Sequence, residues 1–179
     1  VPLDKELNPD ELEQLIIEAE VTCILFNKKY ENIFKNMRAK GTTKLEMLVN
    51  LDDEENHNDV LLWSDLIKEG KDQIAIGDRK FLDAEVIADE MSILLFTSGT
   101  TGIAKAVMLS HENIVEDLMS APTILNVNPW DIFFSVLPIH HTYECTCGFL
   151  MPLYKGAAIA YCEGLKYITK NLAEVRPTM

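Results

Sequence analysis

Short β-prone apolar runs alternate with stretches of helical period along the chain, and this rhythm restricts the fold more than any other feature. Asn8 can cap a helix, Pro9 suits its first position, and Asp10 and Glu11 favour its positive end. Leu12, Leu15, Ile16 and Ala19 then recur at helical spacing. Residues 21–26 predict a strand. Residues 29–40 predict a helix with Tyr30, Ile33, Phe34 and Met37 on one face and Gly41 just past its end. Residues 44–51 predict another strand. Helix, strand, helix, strand is the pattern of an α/β domain with parallel strands.

The second half continues it. Residues 61–69 predict a short helix with Trp63 packed inward, and residues 70–89 a polar connection. Apolar runs at 91–96 and 106–109 predict two strands. Ser110 can cap the helix that starts at His111, with Glu112 in its first turn. Strands are expected at 132–136 and 157–161, and helices at 143–150 and 164–175, the last ended by Pro177. The chain begins at Val1 and stops where a helix should hand over to a strand, so a piece of a longer protein is expected.

Charge excludes some partners. The 16 Lys and Arg face 29 Asp and Glu, a net charge of -13. Such a chain repels phosphate backbones, which argues against nucleic acid as a partner and against more than peripheral membrane contact. An anion such as ATP must be bound locally, by oriented amides, one or two cations and a metal ion. No apolar run reaches the roughly 18 residues of a membrane span, and no secretory signal is visible. Four sparse cysteines read as reduced thiols, so a cytoplasmic location is expected. Five carboxylates in the eight residues 52–59 lack EF-hand spacing and its glycine, and read as a solvated loop rather than a calcium site.

Residues 97–105 hold two glycines, four hydroxyls and one lysine between two apolar runs. Glycines let a backbone turn sharply and present amides to an anion. Lysine is a mobile point charge able to follow a phosphate. The string is not a Walker A loop, because Gly99 and Gly102 are too close and Lys105 is followed by Ala106. A ligand-free hairpin loop remains the competing reading.

The exact order of residues adds to this. Phe96, Thr97, Ser98, Gly99, Thr100, Thr101, Gly102 and Lys105 closely resemble the phosphate loop of the adenylate-forming superfamily, which comprises acyl-CoA synthetases, nonribosomal adenylation domains and luciferases. Val1 to Asp4 with Glu11 and Leu12 resemble an earlier segment of that family, and Ser110, His111 and Asn113 come after the loop as they do there. Leu137, Pro138, His141, Tyr143 and Glu144 resemble the next motif in its long-chain fatty-acid ligase form, and Arg176, Pro177 and Thr178 a later one. Two positions depart from the pattern. Ala104 and Ala106 stand where the family usually has proline and glycine, which loosens one side of the loop and restricts backbone approach on the other.

The resemblance implies an α/β fold with a largely parallel sheet and flanking helices, an incomplete portion of the family's N-terminal domain. Residues 1–90 would form its first α/β portion, and 91–179 the phosphate loop with the next α/β portion, the C-terminal domain being absent. It also implies a reaction. A carboxylic acid attacks the α-phosphate of ATP, and a thiol, that of coenzyme A or of an acyl carrier protein, then displaces AMP. Thr97, Ser98, Gly99, Thr100, Thr101, Gly102 and Lys105 would cradle the phosphates, with Lys105 catalytic. Thr97 would be the protein hydroxyl nearest Mg²⁺. His141, also catalytic, would line the carboxylate pocket, and His140 would pack or face solvent.

The family's adenine pocket, Mg²⁺-binding glutamate, ribose-binding aspartate and mobile C-terminal lysine lie beyond these residues. The chain alone is therefore expected to be inactive without the remainder of its polypeptide.

Zinc is the competing reading for His140, His141, Cys145 and Cys147, but adjacent histidines in an extended segment point opposite ways and C-x-C is not a zinc-finger spacing. Tyr143, Phe149, Met151 and Tyr154 could line an acyl tunnel or pack the core. Small residues such as Gly148 are expected to leave room for an alkyl chain. Residues 139–144 hold no aspartate to pair a substrate amine, which favours a fatty or aryl acid over an amino acid. The rival readings are an amino-acid adenylation domain loading a carrier protein, and a degenerate nucleotide-binding module without turnover.

Overall fold

The computed structural model describes residues 1–52, 59–97 and 104–179. They form two units, one of Glu6–Val86 and one of Val1–Lys5 with Ile87–Met179.

In the first unit the order is α1 (Pro9–Glu18), β1 (Cys23–Phe26), α2 (Glu31–Lys40), β2 (Met47–Asn50), β3 (Leu61–Leu62) and α3 (Trp63–Ala75). The strands lie parallel in the order β1-β2-β3, with Ile24 opposite Leu48 and Val49 opposite Leu61. Asn8 starts α1 as its residue type predicts. Its side-chain oxygen accepts from the amides of Asp10 and Glu11 at 3.1 and 2.9 Å. Gly41 ends α2 at φ 70°, a conformation open to glycine without cost. The core gathers Leu12 and Ile16 from α1, Ile24 and Phe26 from β1, Phe34 and Met37 from α2, and Leu48 and Val49 from β2. Phe26 and Phe34 meet with ring centroids 5.0 Å apart.

Four expectations fail in this unit, the first being that Leu61 and Leu62 open a helix, since they pair with β2 as the strand β3. Trp63 is 42% exposed rather than packed inward, and α3 buries none of its residues. The helix also runs on to Ala75 through what reads as a connection, because Lys68, Glu69, Lys71, Gln73 and Ala75 are strong helix formers and outweigh the single Gly70. The helix expected from residue 29 opens instead as a 3-10 turn, Lys28–Tyr30. That turn is held by Asp52, which accepts from the Lys28 amide at 2.7 Å and from Asn27 at 3.0 Å. The rest of the acidic stretch, 53–58, lies outside the described residues.

The second unit contains β4 (Met91–Thr97), β5 (Lys105–Ser110), α4 (His111–Ile124), β6 (Ile132–Ser135), a π-helix (Glu144–Leu150), α5 (Met151–Lys155), β7 (Ala158–Tyr161) and α6 (Ile168–Val175). β4 and β5 form an antiparallel hairpin, and β6 and β7 pair in parallel. Parallel pairing thus prevails, with the hairpin as the exception. Ser110 and Asn113 close a reciprocal cap on α4: the Asn113 amide donates to Ser110 Oγ at 3.2 Å and the Ser110 amide to Asn113 Oδ1 at 3.1 Å. The core of this unit is Leu118, Val127, Phe133 and Met151. The helix expected over 143–150 is a wider π-helix, and the one expected from 164 opens as a 3-10 turn, Leu165–Tyr167.

After α6 the chain turns at Arg176, φ 51°, and joins β6. The Thr178 amide donates to Ile132 O at 3.0 Å, and the Phe134 amide donates to Met179 O at 3.0 Å. Asp131 anchors this junction, accepting from the Asn128 amide at 2.7 Å and from the Thr178 hydroxyl at 2.8 Å. The Asn128 amide first, and Thr178 second, hold its carboxyl below the usual carboxylate range. A lowered folded value means that the contribution to stability is complete above the ordinary carboxylate pKa and is lost as pH falls through the folded value. Asp131→Asn should therefore lower the urea midpoint near neutral pH, and the gap to wild type should close in acid. A gap that widens in acid would contradict this linkage.

Candidate functional site

The hairpin brings the two ends of the phosphate-loop string together. Thr97 is the last residue of β4 and Lys105 the first of β5, and they face each other across the ladder. Thr97 Oγ1 donates to Lys105 O at 3.5 Å. Leu94 and Leu95, adjacent in β4 and so on opposite faces of the hairpin, are both buried and anchor the strand. Lys105 is exposed, and among the described residues no carboxylate pairs with it. Ser98, Gly99, Thr100, Thr101 and Gly102 lie outside the described residues. The string leads into the strand β5 rather than directly into a helix, as the apolar pattern of 106–109 indicates.

His141 stands on a separate element. It is exposed, its amide donates to Pro138 O at 2.9 Å, and its carbonyl accepts from the Cys145 amide at 2.9 Å. It thus sits on a tight turn leading into the π-helix. None of the described hydrogen bonds or ion pairs joins His141 to the hairpin. His140 Nε2 lies 3.6 Å from Oδ2 of Asp4, near the start of the chain.

The acyl-tunnel candidates divide. Met151 is 1% exposed and belongs to the core, whereas Tyr143 and Tyr154 are exposed. Gly148 corrects an expectation. A Cβ there would lie 2.7 Å from Glu144 Oε2 and nearer still to the rest of that carboxyl group. The space over Gly148 is already filled by Glu144 and is not room for an alkyl chain. Glu144 is itself buried and accepts a hydrogen bond from the buried Ser135 hydroxyl. Nothing in the sequence marks Ser135 as a functional candidate. The four-residue spacing of Glu144 and Gly148 is the only signal that could have pointed to this cluster.

Burial pushes the thiols of Cys145 and Cys147 up, and nearby Asp117 and Glu144 add to the effect at Cys147. Both effects oppose the thiolate that zinc requires. Among the described residues no group of three or more His, Cys, Asp or Glu could hold a metal ion. Nor is any described helix long and apolar enough to cross a membrane.

Residues 1–179 match the family model described as AMP-binding enzyme. The chain belongs to this family. It is similar to long-chain-fatty-acid–CoA ligase 1 of Cavia porcellus, 27% identical over 100% of the chain and 27% of that protein. It is also similar to fatty acyl-CoA synthetase A of Dictyostelium discoideum, 31% identical over 99% of the chain and 27% of that protein. The chain spans about a quarter of the length of these relatives. Among solved structures, an anthranilate CoA ligase in complex with anthranoyl-AMP superposes with a TM-score of 0.82 at 18% identity, over 98% of the chain and 33% of that protein. A long-chain-fatty-acid-CoA ligase from Archaeoglobus fulgidus superposes with a TM-score of 0.78 at 20% identity, over 99% of the chain and 33% of that protein. These two likenesses establish the fold, that of adenylate-forming ligases.

Proposed function

We propose that this chain is part of the large N-terminal domain of an AMP-forming acyl-CoA synthetase that activates a medium- to long-chain fatty acid. The observation that carries the reading is similarity to fatty acyl-CoA ligases along essentially the whole chain, together with the phosphate-loop string on an apolar hairpin. The first half-reaction needs alignment and charge neutralisation more than acid–base help, because a carboxylate is already a nucleophile. Lys105 supplies a mobile cation at the edge of the hairpin, and 98–102 supply amides and hydroxyls for the β- and γ-phosphates. Thr97 offers Mg²⁺ a single hydroxyl, so phosphate oxygens and water must complete its shell. His141 lines the pocket for the acid, and coenzyme A takes the acyl group from the adenylate in the second half-reaction.

The acid is set by what the turn beside His141 lacks. Glu144 is the only carboxylate between residues 137 and 153, and it is buried against Ser135. A substrate ammonium would thus find no exposed partner on this segment, at a cost of several kcal/mol if buried there. An alkyl chain gains about 0.8 kcal/mol per buried methylene, close to fourfold in affinity. ATP–pyrophosphate exchange by the full-length protein with acetate, octanoate, palmitate, benzoate and the common amino acids tests the reading. Exchange should be strongest with octanoate or palmitate. Exchange with one amino acid and neither fatty acid would instead make the protein an amino-acid adenylation enzyme.

A further inference from the structure

Glu144 is 5% exposed and Ser135 8% exposed, and the Ser135 hydroxyl donates to Glu144 Oε1. Among the described residues no basic side chain pairs with Glu144. Burying a carboxyl group against one neutral donor costs stability, and a well-packed apolar residue would serve a core better. Its location is specific. Ser135 ends β6, at the carboxyl edge of the parallel pair, where α/β folds place their ligands. Glu144 opens the π-helix directly after the turn that carries His141, and the His141 carbonyl is bonded to the Cys145 amide at 2.9 Å. The other side of the carboxyl group is closed by Gly148, where any Cβ would overlap it. Two residues from two elements, Ser135 and Gly148, therefore fix one group, and through it the start of a π-helix, a distortion frequent at functional sites.

We propose that Glu144 is a positioning residue: gripped by Ser135 and seated over Gly148, it fixes the His141 turn against the end of β6 for binding of the acid. The role rests on the reading of His141 as part of the carboxylate pocket. It needs the shape and acceptor oxygen of residue 144 rather than an exposed charge, and it concerns the acid rather than ATP.

Steady-state adenylation by the full-length protein tests this with Glu144→Ala, Glu144→Gln, Ser135→Ala and Gly148→Ala, beside Asn171→Ala as a control. Asn171 is a buried polar anchor of the same unit, donating to Glu163 Oε2 at 3.0 Å, and is remote in sequence from the turn. Glu144→Ala, Ser135→Ala and Gly148→Ala should raise KM for the fatty acid about tenfold, the upper end for loss of one buried hydrogen bond, and leave KM for ATP unchanged. Glu144→Gln, which keeps an acceptor and the volume, should stay within about threefold of wild type. Asn171→Ala should lower the melting temperature without changing KM for the acid. If Glu144→Ala and Ser135→Ala lower the melting temperature but leave that KM unchanged, the cluster is only structural and the proposal fails. If Glu144→Gln is as impaired as Glu144→Ala, the carboxyl group itself is required and positioning is the wrong role. Wild-type protein that shows no exchange with any acid overturns the functional reading, and the positioning role with it, before any variant is compared.

Discussion

Replacing Lys105 with alanine in the full-length protein should slow pyrophosphate release about 10- to 150-fold, the kinetic equivalent of one charge-assisted phosphate contact of roughly 1.5–3 kcal/mol. The fold should survive the change. Lys105 is exposed, and its place in the hairpin depends on backbone bonds and on the pairing with Thr97, neither of which uses the ammonium group. In the proposed reaction its charge would matter most as the leaving pyrophosphate gathers negative charge, so the loss should fall on kcat more than on KM for ATP. Arginine at 105 keeps the charge but spreads it over a rigid planar fork, and should restore activity only in part. An unchanged rate of pyrophosphate release in Lys105→Ala would remove this lysine from the reaction. Ala104 and Ala106 bear on the same measurement. Proline at 104 would restrict the backbone entering β5, and faster turnover in Ala104→Pro would show that backbone freedom at this position limits the natural chain.

Met151→Ala should cost about 2–5 kcal/mol of stability, the range for truncating a large buried side chain to alanine. Met151 is 1% exposed and completes the cluster of Leu118, Val127 and Phe133, with Cys147 and Leu150 of the π-helix packed against it. The side chain therefore joins α4 and β6 to the element that begins with Glu144. Truncation leaves a cavity that rigid neighbours from three elements can fill only in part. Denaturant unfolding followed by circular dichroism reads the change as a lower midpoint. Met108→Ala is the control: Met108 is 70% exposed on β5, and its loss should change stability by no more than about 0.5 kcal/mol. A Met151→Ala midpoint as close to wild type as that of Met108→Ala would mean that this cluster does not support the unit.

Local rules are readable because they act over a few residues. Asn8 with Pro9, Ser110, and Gly41 each set a helix end through contacts within three or four positions, and the structure shows all three, adding Asn113 as the reciprocal partner of Ser110. The order of helices and strands comes from apolar periodicity for the same reason. The string from Thr97 to Lys105 is recognisable because a phosphate loop needs its glycines, hydroxyls and lysine contiguous, and the family match over residues 1–179 agrees with it. Where period and propensity conflict, local reading fails. Residues 70–75 continue α3 because strong helix formers surround Gly70, and Trp63 stays half exposed because α3 buries no face.

Contacts across sequence distance are decided only by the tertiary structure. Asp131 and Thr178 are 47 residues apart and meet because the chain returns to β6. Ser135 and Glu144 are nine residues apart, a spacing that matches neither helix nor strand period, and meet only because the intervening turn folds back on the strand end. The same packing reverses the meaning of Gly148. By residue type it is space for a substrate chain, and in the fold it is the seat of a buried carboxyl group. Sequence determined which residues could do chemistry here, because that is a property of residue type and local order. The fold determined which of them meet, because burial and hydrogen bonding depend on which elements are brought together.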